Sequence, residues 1–139
     1  MTTARPLPVP DEQSAPFWSA AADHVLTVAR CGACATLSLP PGPVCGHCGS
    51  IDPEFDFVAV SGAGVVRSFT VVRQAFLPGF DDDLPFVLVD VELDVQTDLR
   101  LIGRLVDGVD PSPTLGERVE IAWEDLTPEV TVPAFRRAS

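Results

Sequence analysis

Four residues of this chain are equipped for metal chemistry, and they are all of its cysteines: Cys31 and Cys34 in one C-x2-C hook, Cys45 and Cys48 in a second. Thiolates are strong zinc ligands, and a two-residue spacing lets a tight turn aim both sulfurs of a hook at one point. Two such hooks suit a tetrahedral site for one zinc ion per chain. Four cysteines close the coordination shell and leave no position for water or substrate, so the expected metal is structural rather than catalytic. Gly32 and Gly46 follow the first ligand of each hook and are expected to let the backbone bend there. His47, inside the second hook, reads as an exposed knuckle residue rather than a fifth candidate ligand. Two disulfides are the competing reading. No charged-then-apolar leader precedes the hooks, and adjacent C-x2-C pairs seldom serve as structural disulfides. Redox use of a single hook explains only one of the two.

With its cysteines assigned to metal, the chain keeps no thiol nucleophile. His24 and His47, its two histidines, are poorly placed to act as bases for a serine. No G-x-S-x-G, Walker A or H-E-x-x-H pattern occurs. The run Asp81-Asp82-Asp83 lacks the alternating ligands of a calcium loop and reads as a solvated loop tip, in a connection over residues 74–86 long enough to border a partner's active site. Arginines offer the remaining ligand chemistry. Arg100 and Arg104 stand four apart on one strand face, and Arg67 and Arg73 belong to an earlier strand, so together they are weak candidates for gripping coenzyme A phosphates. A surface row balancing the acids is the preferred reading of them.

The elements that must position these residues follow from periodicity and punctuation. Residues 1–13 contain three prolines and read as a flexible arm. Ser14, Pro16 and the alanines at 20–22 predict a short capped helix, with Phe17, Trp18 and Ala21 as its apolar stripe. Helix and lead-in strand fill residues 14–30, and the zinc ribbon fills 31–52, its hooks joined by the stiff Leu39-Pro40-Pro41-Gly42-Pro43 link. From residue 53 to 126, alternating segments at 55–60, 65–72, 86–93, 99–106 and 119–124 predict five short strands. Five strands in about 70 residues, with Gly103 at a bend, favour a small closed Greek-key barrel of the OB type. The fold class is therefore mainly β: a five-stranded OB-fold barrel preceded by a short helix and a four-cysteine rubredoxin-like ribbon. Residues 127–139 are expected to be a C-terminal tail.

Those residues, in that order, resemble the rubredoxin-like zinc-ribbon/OB-fold family found beside thiolases and acyl-CoA aldolases. The likeness runs from Phe17-Trp18 through the four cysteines and Pro40-Pro41 to Gly62-Ala63-Gly64, Ser68-Phe69-Thr70, Leu84-Pro85-Phe86, Gly116-Glu117-Arg118-Val119 and Pro133-Ala134-Phe135-Arg136. It implies a non-catalytic accessory subunit of a thiolase-superfamily enzyme acting on acyl-CoA esters, by thiolysis, condensation or retro-aldol cleavage, including in steroid side-chain degradation. It also implies a hetero-oligomer in which a coenzyme A ester is met through the complex. Phe17, Trp18, Phe76, Phe80 and Phe135 are the expected partner-facing anchors. The chain departs from the family where Val95-Gln96-Thr97-Asp98 replaces an acidic-glycine turn and where Arg137 follows the terminal Phe-Arg.

Charge separates this reading from its rival, a single-strand nucleic-acid module, since both ribbons and OB barrels serve that role. The chain has no lysine and no tyrosine, nine arginines against twenty acids, and a formal net charge of −11. Four thiolates with one divalent cation would bring it to −13, which opposes a phosphate backbone. No apolar run is long enough to span a membrane, and the expected compartment is the cytoplasm. In a fluorescence-anisotropy titration at about 150 mM salt, the isolated chain is expected to leave single-stranded DNA and RNA unbound at micromolar concentrations; binding at or below that range would restore the nucleic-acid reading.

Overall fold

The computed structural model describes residues 5–138; Met1 to Ala4 of the arm and Ser139 of the expected tail lie outside the described residues. Helix α1, Ala15–Ala22, is the first element. Its start is fixed by a reciprocal pair: the Ser14 amide donates to Asp11 Oδ1 at 2.8 Å, and the Asp11 amide donates to Ser14 Oγ at 3.0 Å. The side chain that caps the entering backbone is thus Asp11, three residues earlier than expected, with Ser14 as its reciprocal partner. Phe17 and Ala21 are buried while Trp18 stays half-buried at the helix flank, its ring edge-on to Phe17 at 5.0 Å.

A three-stranded antiparallel sheet carries the hooks. Strand β1, Thr27–Arg30, is central, between β2, Leu37–Ser38, and β3, Asp56–Ala59. Residues 55–60, expected in the barrel, therefore belong here: their backbone pairs with β1, from Thr27 opposite Ala59 to Arg30 opposite Asp56. The ribbon's sheet accordingly reaches well outside residues 31–52.

The barrel is formed by β4 (Gly64–Val72), β5 (Phe86–Leu93), β6 (Arg100–Leu105), β7 (Arg118–Asp125) and β8 (Thr131–Arg137), closed in the order β4-β5-β6-β8-β7. The fifth strand is thus the segment expected to be a free tail. Pro133 disguises it, because proline inside a run argues against a strand. Here Pro133 stands opposite Trp123 of β7, one residue before β8 begins its parallel pairing with β6 at Ala134 and Phe135. A five-stranded barrel cannot close without that parallel pair.

Inside, Val87, Val89, Val91 and Leu93 point inward from β5 and meet Val66, Leu105, Val119 and Phe135. Leu26, Val28 and Phe17 join the same core, so helix, ribbon and barrel share one apolar interior. Two glycines shape it. At Gly64 a Cβ would lie 2.6 Å from Val91 Cγ1, so only glycine lets β4 cross β5 this closely. At Gly103 a Cβ would sit 3.1 Å from the Phe135 ring, so the bend read from sequence is also the space that ring fills.

The arm does not hang free over its described part. Arg5 ion-pairs with Asp83 and with Glu124, the latter at 3.4 Å, and Arg104 meets the same two acids at 3.5 Å each. The Arg5 guanidinium also lies 5.0 Å from the Phe80 ring centroid, and Arg104 lies 5.6 Å from that of Phe86. Two cations and two anions alternate, and the Arg5 hydrogen bond, ahead of other influences, holds the Asp83 carboxyl below its ordinary range. No helix is long and apolar enough to cross a membrane among the described residues.

Replacing the fully buried Phe135 with alanine removes the ring that fills the space under Gly103 and spans the β6–β8 seam. The expected loss is about 3–5 kcal/mol in a denaturant titration; a loss below about 1 kcal/mol, the surface-residue range, would contradict this placement.

Candidate metal centre and adjoining groove

The two hooks are the same turn used twice. In the first, the Cys31 amide donates to the Thr36 carbonyl and the Ala35 amide to the Cys31 carbonyl, at 3.0 and 2.8 Å. In the second, the Cys45 amide donates to Ser50 and the Gly49 amide to Cys45, at 3.0 and 2.9 Å. Each turn passes through the left-handed region four residues after its first cysteine, at Ala35 (φ 66) and Gly49 (φ 78). The bends expected at Gly32 and Gly46 are therefore made at Ala35 and Gly49. Gly32 serves a different end: its amide donates to the Pro53 carbonyl at 2.6 Å, and a Cβ there would meet that oxygen at 2.9 Å.

These turns bring all four sulfurs within 4.8 Å of one another. Cys31 Sγ lies 3.9 Å from Cys48 Sγ, and Cys34 Sγ lies 3.7 Å from Cys45 Sγ. A zinc–sulfur distance of about 2.3 Å in a tetrahedron implies sulfur–sulfur edges of about 3.8 Å. A disulfide demands about 2.05 Å. Amides of Ala33 and Cys48 point at Cys31 and Cys45 sulfurs, at 3.3 and 3.5 Å, and help carry thiolate charge. Thr36, through its side chain and then its amide, brings the Cys34 thiol down to about 5. Cys48 stands at about 11, because burial and the neighbouring sulfurs outweigh the Ser50 backbone hydrogen bond that favours its thiolate. Four crowded sulfurs cannot all ionise unaided, and a divalent cation at their centre resolves that conflict. The donor set fits zinc. His47 is exposed, as expected of a knuckle residue.

One contact escaped the sequence reading. The Gln96 carboxamide accepts from the Leu37 amide at 2.9 Å and donates to the Leu37 carbonyl at 2.8 Å. The side chain thus imitates a neighbouring strand, clipping the ribbon's β2 to the turn between β5 and β6. The turn sequence Val95-Gln96-Thr97-Asp98 showed a carboxamide, which carries a donor and an acceptor on separate atoms as a peptide group does, but not its partner 59 residues away.

Beside the clip lies an apolar groove of about 600 Å³. Its walls come from three places: Phe17 and Trp18 of α1, Leu39 to Pro41 of the link between hooks, and Leu101, Ile102, Val132 and Pro133 of the barrel. Asp90 and Arg100, paired at 2.8 Å, supply its polar rim. Sequence reasoning found Trp18 and the proline link but had no means of placing them opposite β6 and β8.

The other expected site residues divide. Phe76 is 88% exposed and Phe80 half-buried against Phe86, both in the 74–86 connection, which includes a short 3-10 turn at Asp81–Asp83. Phe17 is buried, and Phe135 is fully enclosed by the barrel, so it is a core residue rather than a partner anchor. The arginines do not gather into a phosphate grip: Arg67 binds Glu92, Arg100 binds Asp90, and Arg104 binds Asp83 and Glu124. Arg73 is exposed and makes no ion pair among the described residues. Asp83 is likewise engaged rather than solvated. His24 is stacked on Trp123 at 5.7 Å with Nε2 2.8 Å from Asp125.

A four-cysteine ribbon clipped to an OB barrel that shares its core defines a rubredoxin-like zinc-ribbon/OB-fold protein. The comparisons name the family: a ChsH2 rubredoxin-like zinc ribbon domain matches residues 18–54, and a ChsH2 C-terminal OB-fold domain matches residues 57–124. The chain belongs to the ChsH2 family. It is 39% identical over 134 residues to a probable enoyl-CoA hydratase alpha subunit of Thermomonospora curvata, covering 96% of this chain but only 40% of that relative's length. A solved chain described as Ltp2-ChsH2(DUF35) aldolase is 39% identical, with 95% of this chain and 99% of that one aligned at a TM-score of 0.80.

Metal analysis of the purified protein is expected to find one zinc per chain. Cys45→Ser, at a buried ligand position, should lose the zinc and the ribbon's amide-exchange protection while circular dichroism retains the barrel strands. Zinc well below one equivalent, with disulfides in its place, would contradict the site.

Proposed function

We propose that this chain is a non-catalytic accessory subunit of an acyl-CoA-processing complex, in which a thiolase-superfamily partner performs the carbon–carbon chemistry. The observation that carries this reading is the near end-to-end match to a chain of an aldolase complex, 95% of one chain against 99% of the other. The second relative, a probable hydratase alpha subunit, points to the same acyl-CoA setting and contains this unit as part of a longer polypeptide. Retro-aldol cleavage is the favoured reaction class, and side chains of steroid-derived acyl-CoA esters are the favoured substrates.

The residues fit a supporting role. The four cysteines hold one structural zinc, which positions the ribbon and supplies no open coordination site. His24 is committed to Asp125 and Trp123, and each arginine weighed as a phosphate ligand, Arg73 aside, already has a carboxylate. A coenzyme A ester is then met through the complex rather than by this chain alone. Phe76 and Phe80 place apolar surface on the 74–86 connection, and Trp18 places it in the groove beside β6 and β8, so two neighbouring regions offer apolar anchors.

Co-expression with an Ltp2-like subunit from the same source is expected to yield a complex that co-elutes in size exclusion and cleaves a β-hydroxy acyl-CoA, while either chain alone shows little or no turnover. Separate elution, together with an enzyme rate indifferent to this chain, would refute the reading.

A further inference from the structure

The groove beside the ribbon is built like a recognition site for extended peptide. Its floor and walls are rings and branched chains, with Trp18, Phe57, Pro40, Pro41 and Pro133 prominent among them. Grooves lined by aromatic and proline rings suit segments already in the polyproline conformation, which lose little entropy on docking. The polar rim is acidic as well as basic: the Asp90 side chain, 26% exposed, holds Arg100 through Oδ2 at 2.8 Å, while its Oδ1 is buried without a hydrogen-bond partner.

The chain itself shows what this surface accepts. A smaller pocket of about 230 Å³ shares Val132 and Pro133 with the groove, and it is lined in part by the arm residues Arg5, Pro6 and Pro8. There an extended Arg-Pro-Leu-Pro segment lies on the barrel, its cation gripped by Asp83 and Glu124 and laid over Phe80. The groove repeats that chemistry one step along the same β8 wall: apolar rings beside a carboxylate. Charge agrees, since a chain of net −11 favours a basic partner segment over an acidic one.

We propose that the groove takes an extended, proline-containing segment of the partner subunit, with a basic side chain of that segment meeting Asp90. This rests on the accessory-subunit reading and names the surface through which it operates. The Leu39 to Pro41 wall and Phe57 belong to the ribbon, so Gln96 and the four cysteines hold that side of the groove in place. Gln96 is a positioning residue here: it touches Leu37, and Leu37 leads directly into the Leu39 to Pro41 wall.

The test uses the full chain and the co-expressed Ltp2-like subunit, with affinity measured by biolayer interferometry on variants that retain their zinc and melting temperature. Ile102 is 62% exposed and lines the groove, so Ile102→Asp adds a charge without disturbing the core. It is expected to weaken the complex at least about tenfold, as a central interface anchor would. Leu115→Asp, at a residue 63% exposed that does not line the groove, should leave affinity within about twofold. Asp90→Asn should weaken binding and flatten its dependence on salt. Trp18 emission, isolated as the difference between the parent and Trp18→Phe, should shift to the blue on complex formation. An intact complex indifferent to Ile102→Asp, or Trp18 emission unmoved by the partner, overturns the groove proposal alone. Trp18 emission that answers to an acyl-CoA ester without the partner assigns the groove to a small ligand and also overturns it. Failure of the parent chain to form any complex overturns the accessory-subunit reading, and the groove proposal with it.

Discussion

Four sulfurs crowded within 4.8 Å repel one another as thiolates, and that repulsion is the constraint on which the rest of this structure turns. β1 is anchored in the shared core through Val28, but the ribbon's own sheet is small: β2 is two residues long, β1 and β3 four each. Such a small sheet cannot bury enough apolar surface to order the link from Ala35 to Val44 by itself. A divalent cation converts the repulsion into four bonds and ties both ends of that link to one point. The Gln96 carboxamide then carries the geometry from ribbon to barrel through a pair of hydrogen bonds to Leu37. Metal, link, clip and groove are therefore one mechanical series.

The barrel's charges are arranged on a different plan. Twenty acids against nine arginines would suggest a surface in mutual repulsion, yet eight of the arginines lie against carboxylates. Most of these pairs are exposed, where each contributes about 0–1 kcal/mol. The Arg5–Asp83–Arg104–Glu124 square is partly buried and joins three separate segments: the arm, the 74–86 connection and the barrel strands. It fixes where the arm lies rather than supplying much stability, and it keeps arginines away from any phosphate-binding role.

Local pattern made much of this readable in advance. Cysteine spacing specified the metal set, because a hook's reach is decided within four residues. Alternation in β5, where Val87, Val89, Val91 and Leu93 are all buried, marked that strand without ambiguity. What failed to show was long-range. Residues 55–60 alternate as a barrel strand would, and only pairing with β1 decides that they belong to the ribbon. Pro133 hid β8, and with β8 hidden, Phe135 looked like an exposed anchor instead of the residue that fills the space beneath Gly103. Gln96 and the groove could not be foreseen for the same reason: their partners lie 59 residues away in the chain or on the far side of the barrel seam.

The central claim is that a zinc-ordered ribbon and the barrel together form the surface that receives an enzyme subunit. Hydrogen exchange on the zinc-loaded chain, free and in complex with the Ltp2-like subunit, tests it most directly. New protection is expected to concentrate in α1, in the Leu39 to Pro41 link and in β6 around Ile102, with the barrel interior unchanged. Protection confined to other faces, with those three segments exchanging as they do in the free chain, would contradict it.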